Sequence, residues 1–266
     1  MIQYPAARGR KRMAAAFAAL LGAMAFAPPA SAQIGSARYA SVAIDARDGT
    51  VLSAANPDEP RYPASLTKIM TLYMLFDALR EGRLTLDTRL VMSAEAASRP
   101  PTKLGLPPGA GLTVEGAILA LVTKSANDVA SLVGETLAGS EERFGQMMTL
   151  RARALGMSNT TFRNASGLPD IDQITTARDM ATLGRRMFAD HPDRYHYFST
   201  VHARVGSIPV RNHNRMIGEY EGVDGIKTGY TRDSGFNLMT AAKLGDRQIV
   251  AIVLGGKSGA SRDRIM

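Results

Sequence analysis

The 266-residue sequence contains no cysteine. That absence excludes a disulfide framework and any thiolate metal site. Histidine is scarce as well: His191, His196, His202 and His213 lack the spacing of a metal site, so they read as surface or packing residues. No GxSxG pentapeptide occurs, which argues against a nucleophile elbow of the α/β-hydrolase type. Internal repeats and low-complexity tracts are missing too. The apolar run at residues 13 to 27 falls short of the roughly 20 residues that a membrane-spanning helix needs. No cofactor and no metal are expected from this composition.

What is present begins with a gradient of charge. Arg8, Arg10, Lys11 and Arg12 precede the apolar run, and Ala30-Ser31-Ala32 follows it ahead of Gln33. Basic, apolar and small-residue segments in that order make residues 1–32 a secretory signal peptide, with a mature chain starting near Gln33. The expected location is therefore across the inner membrane, in the periplasm or another extracytoplasmic space, and membrane attachment is not evident. The net charge of +8 combines 32 basic with 24 acidic residues. Residues 1–32 hold four of the basic residues and no acidic one, so the remainder carries 28 against 24, a net +4. That balance is too mild to argue for nucleic acid, and it suits an anionic cell-wall polymer. Residues 33–266 are long enough for one sizeable domain.

Periodicity assigns the elements. Residues 39 to 44 alternate as a strand, Asp48-Gly49 supplies a turn, and residues 50 to 54 return as a second strand. Ile69, Leu72, Tyr73, Phe76 and Leu79 recur at helical spacing, with Gly82 as a terminator and Ser65 at the helix start. Two helical stretches between residues 114 and 138 break around "KSANDVA", and Thr176 with Asp179 caps a further helix running to Met187. "GIKTGYT", "FNLMTAAKL" and "QIVAIVLGG" read as three strands, the last two joined at Gly245-Asp246. Strands at both ends around a helical middle, roughly 67–220, predict an α/β fold of the α+β type: one antiparallel sheet flanked by helices, carrying a helical sub-domain. The closing "SRDRIM" reads as the first turn of a helix, as if the chain were truncated at its C-terminus.

Chemistry concentrates in three short motifs. Ser65 and Lys68 form SxxK, one helical turn apart on the same face. The amine is a base toward the hydroxyl only when neutral, a state favoured by burial and by a second nearby cation, for which Lys227 is the candidate. A helix start also directs free backbone N–H groups toward charge developing on a substrate oxygen. Ser125-Ala126-Asn127 and Lys227-Thr228-Gly229 each occur once, in that order, on an interhelical loop and on a strand. Other readings of single residues stay open: Asn127 as a helix cap, Thr228-Gly229 as ordinary strand residues, Arg262 as a solvated arginine. Gly256-Lys257-Ser258 ends no phosphate loop, since Ala251 stands where that motif has glycine.

With "YPASLTKIMT", "SANDVA", "TTFRNASGLPD", "VDGIKTGYT" and "VLGGKSGASR", the chain resembles the D-alanyl-D-alanine carboxypeptidases, the low-molecular-mass penicillin-binding proteins among the serine peptidases. The resemblance implies a β-lactamase/DD-peptidase-like fold and removal of the last D-alanine from peptidoglycan stem peptides ending in D-Ala-D-Ala, with β-lactam antibiotics as covalent inhibitors. It also implies the roles. Ser65 is the nucleophile, Lys68 its base and Ser125 a proton relay to the leaving amine. Asn127 holds the substrate backbone, and the N–H groups of Ser65 and Tyr230 form the oxyanion hole, next to Gly229. Lys227, Thr228 and Arg262 face the substrate's terminal carboxylate, a task that suits a guanidinium. A D,D-endopeptidase using the same residues and a non-catalytic penicillin or cell-wall sensor are the rival expectations; the sensor would be expected to lack Ser65 or Lys68. The class A β-lactamases share these motifs but use a glutamate between the second and third to release the acyl group. No glutamate occurs from residue 143 to 218, where only Asp170, Asp172, Asp179, Asp190 and Asp193 are acidic.

Overall fold

The computed structural model describes Met1 and residues 37–266; the expected signal peptide and the expected start at Gln33 lie outside the described residues. The chain enters through the hairpin β1 (Ala40–Asp45) and β2 (Val51–Ala55). Its turn is fixed by the Asp48 carboxylate, which accepts from the Thr50 N–H at 2.8 Å. Ala40, Val42 and Ile44 are buried, as the alternation requires. Helix α1 (Thr67–Arg80) follows. Its expected apolar face proves to be only part of the buried surface, because Met70, Thr71, Met74, Leu75 and Ala78 are buried as well. A helix buried on every side is a hub for its neighbours rather than a lid on a core.

Around that hub lie β3 (Arg89–Val91), α2 (Ala94–Ser98), β4 (Gly111–Thr113), α3 (Val114–Leu119), α4 (Asn127–Ala138), α5 (Glu141–Ala154) and α6 (Ala177–Asp190). The small hairpin β3–β4, and a second one, β5 (His202–Val205) with β6 (Ile208–Arg211), were not foreseen from the sequence. Three-residue and four-residue strands carry too few alternations to register as a pattern. Thr176 caps α6 as expected, accepting from the Asp179 N–H at 3.1 Å. Asp179 does not reciprocate: its carboxylate takes the Thr160 hydroxyl at 2.6 Å and the Asn159 N–H at 2.9 Å, tying the helix start to the preceding loop.

The chain closes with β7 (Val223–Thr231), β8 (Gly235–Leu244), β9 (Arg247–Gly256) and α7 (Gly259–Ile265). These strands join the opening hairpin in one antiparallel five-stranded sheet of order β2-β1-β9-β8-β7. Both ends of the described chain thus meet in the sheet, with the helical segment inserted between β2 and β7. Since Ala251 and Gly256 lie within β9, a strand stands where a phosphate loop would have to form. His191 is a packing residue, fully buried and edge-on to Tyr73 at 4.7 Å. Its Nε2 is 3.3 Å from Asp77. Burial alone would raise the Asp77 carboxyl, but the His191 contact and the Arg151 and Arg80 cations hold it below the usual range.

Candidate active site

Ser65 does not open the α-helix itself. It sits in a single 3₁₀ turn, Ala64–Leu66, that leads into α1, and Ala64 takes a φ of +48°. A left-handed alanine costs of order 1–2 kcal/mol, so its surroundings must hold it there. Three contacts do so. The buried Asn237 of β8 donates through Nδ2 to the carbonyls of Tyr62 and Pro63 at 3.0 and 3.1 Å, and its Oδ1 accepts from the Gly255 N–H at 2.9 Å. Strand β7 presses on the turn so closely that a Cβ at Gly229 would stand 3.1 Å from the Ser65 nitrogen. On the other side, a Cβ at Gly167 would stand 1.8 Å from the Ala64 carbonyl oxygen. Glycine at 167 is therefore a condition for the turn, while a side chain at 229 would require the turn to give by a few tenths of an ångström.

Lys68 lies in the first turn of α1 and is completely buried. Its Nζ is 3.1 Å from Ser65 Oγ, 2.7 Å from Asn127 Oδ1 and 2.5 Å from the Ser166 carbonyl oxygen. Burial, followed by the Lys227 charge, pushes the amine well below the ordinary lysine value, with Glu141 and Asp128 acting the other way. Asn127 is the first residue of α4 and not its cap; Ala126 holds that position without a side-chain cap bond. The Asn127 side chain instead bridges Lys68 and the Pro100 carbonyl, to which Nδ2 donates at 2.9 Å. Ser125, left-handed at φ +59°, breaks the helical run where expected. Its hydroxyl is buried without a hydrogen-bond partner.

Strand β7 supplies Lys227, Thr228, Gly229 and Tyr230. Burial, and after it the Arg262 cation, bring Lys227 down to about 7; its Nζ donates to the Thr228 carbonyl at 3.0 Å. The Tyr230 ring is exposed and rests 4.4 Å from Phe236. Arg262 of α7 is only 6% exposed, which removes the reading of a solvated arginine. Its Nη1 donates to the Asn237 carbonyl at 3.2 Å, while Nε and Nη2 donate to Asp263 Oδ1 at 2.8 and 2.5 Å.

Ser65, Ser125, Asn127, Thr228, Gly229, Tyr230 and Arg262 line one cleft of about 1010 Å³. Lys68 and Lys227 are buried just beneath its lining. The structure also brings in residues that the motifs did not announce. Ser166, inside the "TTFRNASGLPD" segment, contributes a backbone carbonyl, and Asn237, inside "FNLMTAAKL", contributes a side-chain amide; neither role was read from the segment. His213 reaches the cleft rim, where desolvation and the Lys227, Lys124 and Lys68 cations push its imidazole down to about 4. Glu219 lies on the same rim, one residue beyond the glutamate-free stretch. Among the described residues, no helix is long and apolar enough to cross a membrane and no group of three or more acidic or histidine side chains could hold a metal ion.

A five-stranded antiparallel sheet beside a helical lobe, with this cleft between them, is the fold of the penicillin-binding proteins. Penicillin binding protein 5 from Haemophilus influenzae superposes with a TM-score of 0.81 at 29% identity, over 85% of this chain and 67% of that one. The chain belongs to the D-alanyl-D-alanine carboxypeptidase family, whose model matches residues 25–258. It is 33% identical to the D-alanyl-D-alanine carboxypeptidase DacC of Escherichia coli over 98% of its own length, and 31% identical to DacF of Bacillus subtilis over 92%. The chain spans 68% and 66% of those two relatives.

Proposed function

We propose that the chain acts outside the cytoplasm as a serine D-alanyl-D-alanine carboxypeptidase that trims peptidoglycan stem peptides through an acyl-enzyme. One observation carries the reading. A neutral amine has two N–H donors and one lone pair. The Asn127 Oδ1 and Ser166 carbonyl can only accept, so they take both hydrogens of Lys68. The lone pair is left for the third neighbour, the Ser65 hydroxyl. Burial and the Lys227 charge favour that neutral form.

The reaction then runs as follows. Ser65 Oγ attacks the carbonyl between the two D-alanines while Lys68 Nζ takes its proton, and the N–H groups of Ser65 and Tyr230 receive the oxyanion. The tetrahedral intermediate collapses as the C–N bond breaks; the proton held by Lys68 is relayed through the Ser125 hydroxyl to the departing amine, which returns Lys68 to its neutral form. Water, deprotonated by Lys68, hydrolyses the acyl-enzyme. The test is mass analysis of products: a pentapeptide ending in D-Ala-D-Ala loses one D-alanine, and crosslinked muropeptides stay intact. Cleavage of the crosslinks instead would establish the endopeptidase; no turnover alongside retained penicillin binding would establish the sensor. Penicillin is expected to acylate fast and leave slowly, because its leaving group stays tethered and obstructs the water. Rapid multiple-turnover penicillin hydrolysis, lost in Glu219→Gln, would make Glu219 a deacylating base and overturn this expectation.

Thr228 and Arg262 are assigned to the substrate's terminal carboxylate, which has to draw the Arg262 fork away from Asp263. Thr228→Ala and Arg262→Ala are expected to lower kcat/KM for peptides ending in free D-alanine by about 10-fold or more, and for the amidated peptides far less. Equal losses on both would assign these residues to structure alone.

A further inference from the structure

Arg262 is the cation assigned to the substrate's terminal carboxylate, yet all three of its side-chain nitrogens already have partners. Nη1 donates to the Asn237 carbonyl at 3.2 Å, and the edge formed by Nε and Nη2 donates to Asp263 at 2.8 and 2.5 Å. The side chain is also only 7% exposed. A peptide carboxylate that takes two parallel N–H bonds, the geometry a guanidinium favours, has to displace one of these two acceptors.

Asn237 is held too firmly to yield. It pairs with Gly229 across β7 and β8, its Oδ1 accepts from the Gly255 N–H, and its Nδ2 holds the carbonyls of Tyr62 and Pro63, so moving it would release the Ser65 turn. Asp263 is tied by far less. Its side chain is 21% exposed and lines the same cleft as Ser65, Thr228 and Arg262, and Arg262 is the one partner of its carboxylate among the described residues. The pairing itself is a poor fit. Adjacent residues on a helix do not face one another, and both guanidinium N–H groups share the single oxygen Oδ1. A free carboxylate that offers one oxygen to each N–H makes the better match.

We infer that Asp263 is a specificity-determining residue, a built-in stand-in for the terminal carboxylate that covers Arg262 until the substrate displaces it and covers it again as D-alanine leaves. Binding is then an exchange of one anion for another. The buried guanidinium stays compensated throughout, and the free acid gains less over an amidated peptide than an uncovered arginine would give it. Penicillin undergoes the same exchange, because its carboxylate sits on the carbon bonded to the β-lactam nitrogen, as that of D-alanine sits on the carbon bonded to the peptide nitrogen. The inference rests on the carboxypeptidase reading, in which Arg262 meets that carboxylate.

The test compares the full chain with Asp263→Asn, which keeps an oxygen acceptor and removes the charge, and with Asp263→Glu, which restores the charge. For a pentapeptide ending in D-Ala-D-Ala, Asp263→Asn should lower KM by about three- to fivefold, as suits the loss of a partly exposed ion pair, with a far smaller change in kcat. D-Alanine should inhibit this variant at correspondingly lower concentration, and fluorescent penicillin, which needs no peptide turnover, should label it about three- to fivefold faster. The amidated peptide should show no such gain, and Asp263→Glu should return the values toward wild type. An unchanged or raised KM and labelling rate in Asp263→Asn, or an equal change on the amidated peptide, overturns the inference while leaving the carboxypeptidase reading intact. Absence of D-alanine release by the wild-type chain overturns both.

Discussion

The Ser65→Ala variant is expected to take no covalent label from fluorescent penicillin and to release no D-alanine. Ser65 is the hydroxyl whose proton the Lys68 amine is placed to take, at 3.1 Å, and no substitute oxygen enters when it is removed. Lys68→Ala keeps the nucleophile and loses its base, so labelling should slow by about 10²- to 10⁴-fold. The two variants also differ in pH response. Wild-type labelling rises with pH while any Lys68 is still protonated and levels once the amine is neutral, and its lowered pKa puts that rise below the ordinary lysine range. The Lys68→Ala chain has no such rise. Rates of labelling across pH, with circular dichroism to verify folding, check both points. A label that persists in Ser65→Ala, or an unchanged pH profile in Lys68→Ala, would move the chemistry to other residues.

Gly167→Ala is expected to be nearly as damaging although it alters no reacting group. The added Cβ would meet the Ala64 oxygen at 1.8 Å, the Ala64 carbonyl carbon at 2.3 Å and the Ser65 nitrogen at 3.0 Å. All three are backbone atoms, so no side-chain rotation relieves the clash, and the Ser65 turn has to move. A displacement of about 1 Å costs of order 100-fold in rate. Gly139→Ala is the matched control: its φ is also +83°, but nothing lies within 4 Å of the new Cβ. That variant should lose about 1 kcal/mol of stability and label at the wild-type rate. Equal labelling rates for the two variants would refute the role given to the Gly167 contact.

The sheet and the helical insertion were legible because alternation over β1, β7, β8 and β9 and the helical recurrence in α1 are local signals that tertiary structure did not override. The motifs were legible for the same reason, as each is a short spacing. What escaped depends on approach between distant segments. The sequence offers Asn127 as a helix cap or, by resemblance, as a holder of the substrate backbone, and its contact with Lys68 appears only with the packing of α1 beside α4. Ser65 looked like the start of an α-helix, since an apolar recurrence cannot separate a 3₁₀ turn from the helix it enters. Asn237 is an ordinary polar residue in a strand until the strand reaches the carbonyls of Tyr62 and Pro63. Glu219 was passed over and His213 was read only as a surface or packing residue, because a loop without periodicity gives no sign of the cleft it overhangs.

The contacts that place Ser65 beside Lys68 and hold its turn join segments distant along the chain. Lys68 meets Asn127 and Ser166 across 59 and 98 residues, and Asn237 reaches back across 175 and 174 residues to hold the turn. Contacts so far apart along the chain carry a loop-closure cost that local helices and hairpins do not. A chain emerging in an extended state therefore carries an ordinary, inert serine and a solvated, protonated lysine. Because Lys227 of β7 lowers the Lys68 amine and Asn237 of β8 holds the turn that carries Ser65, the site is complete only with the closing strands in place.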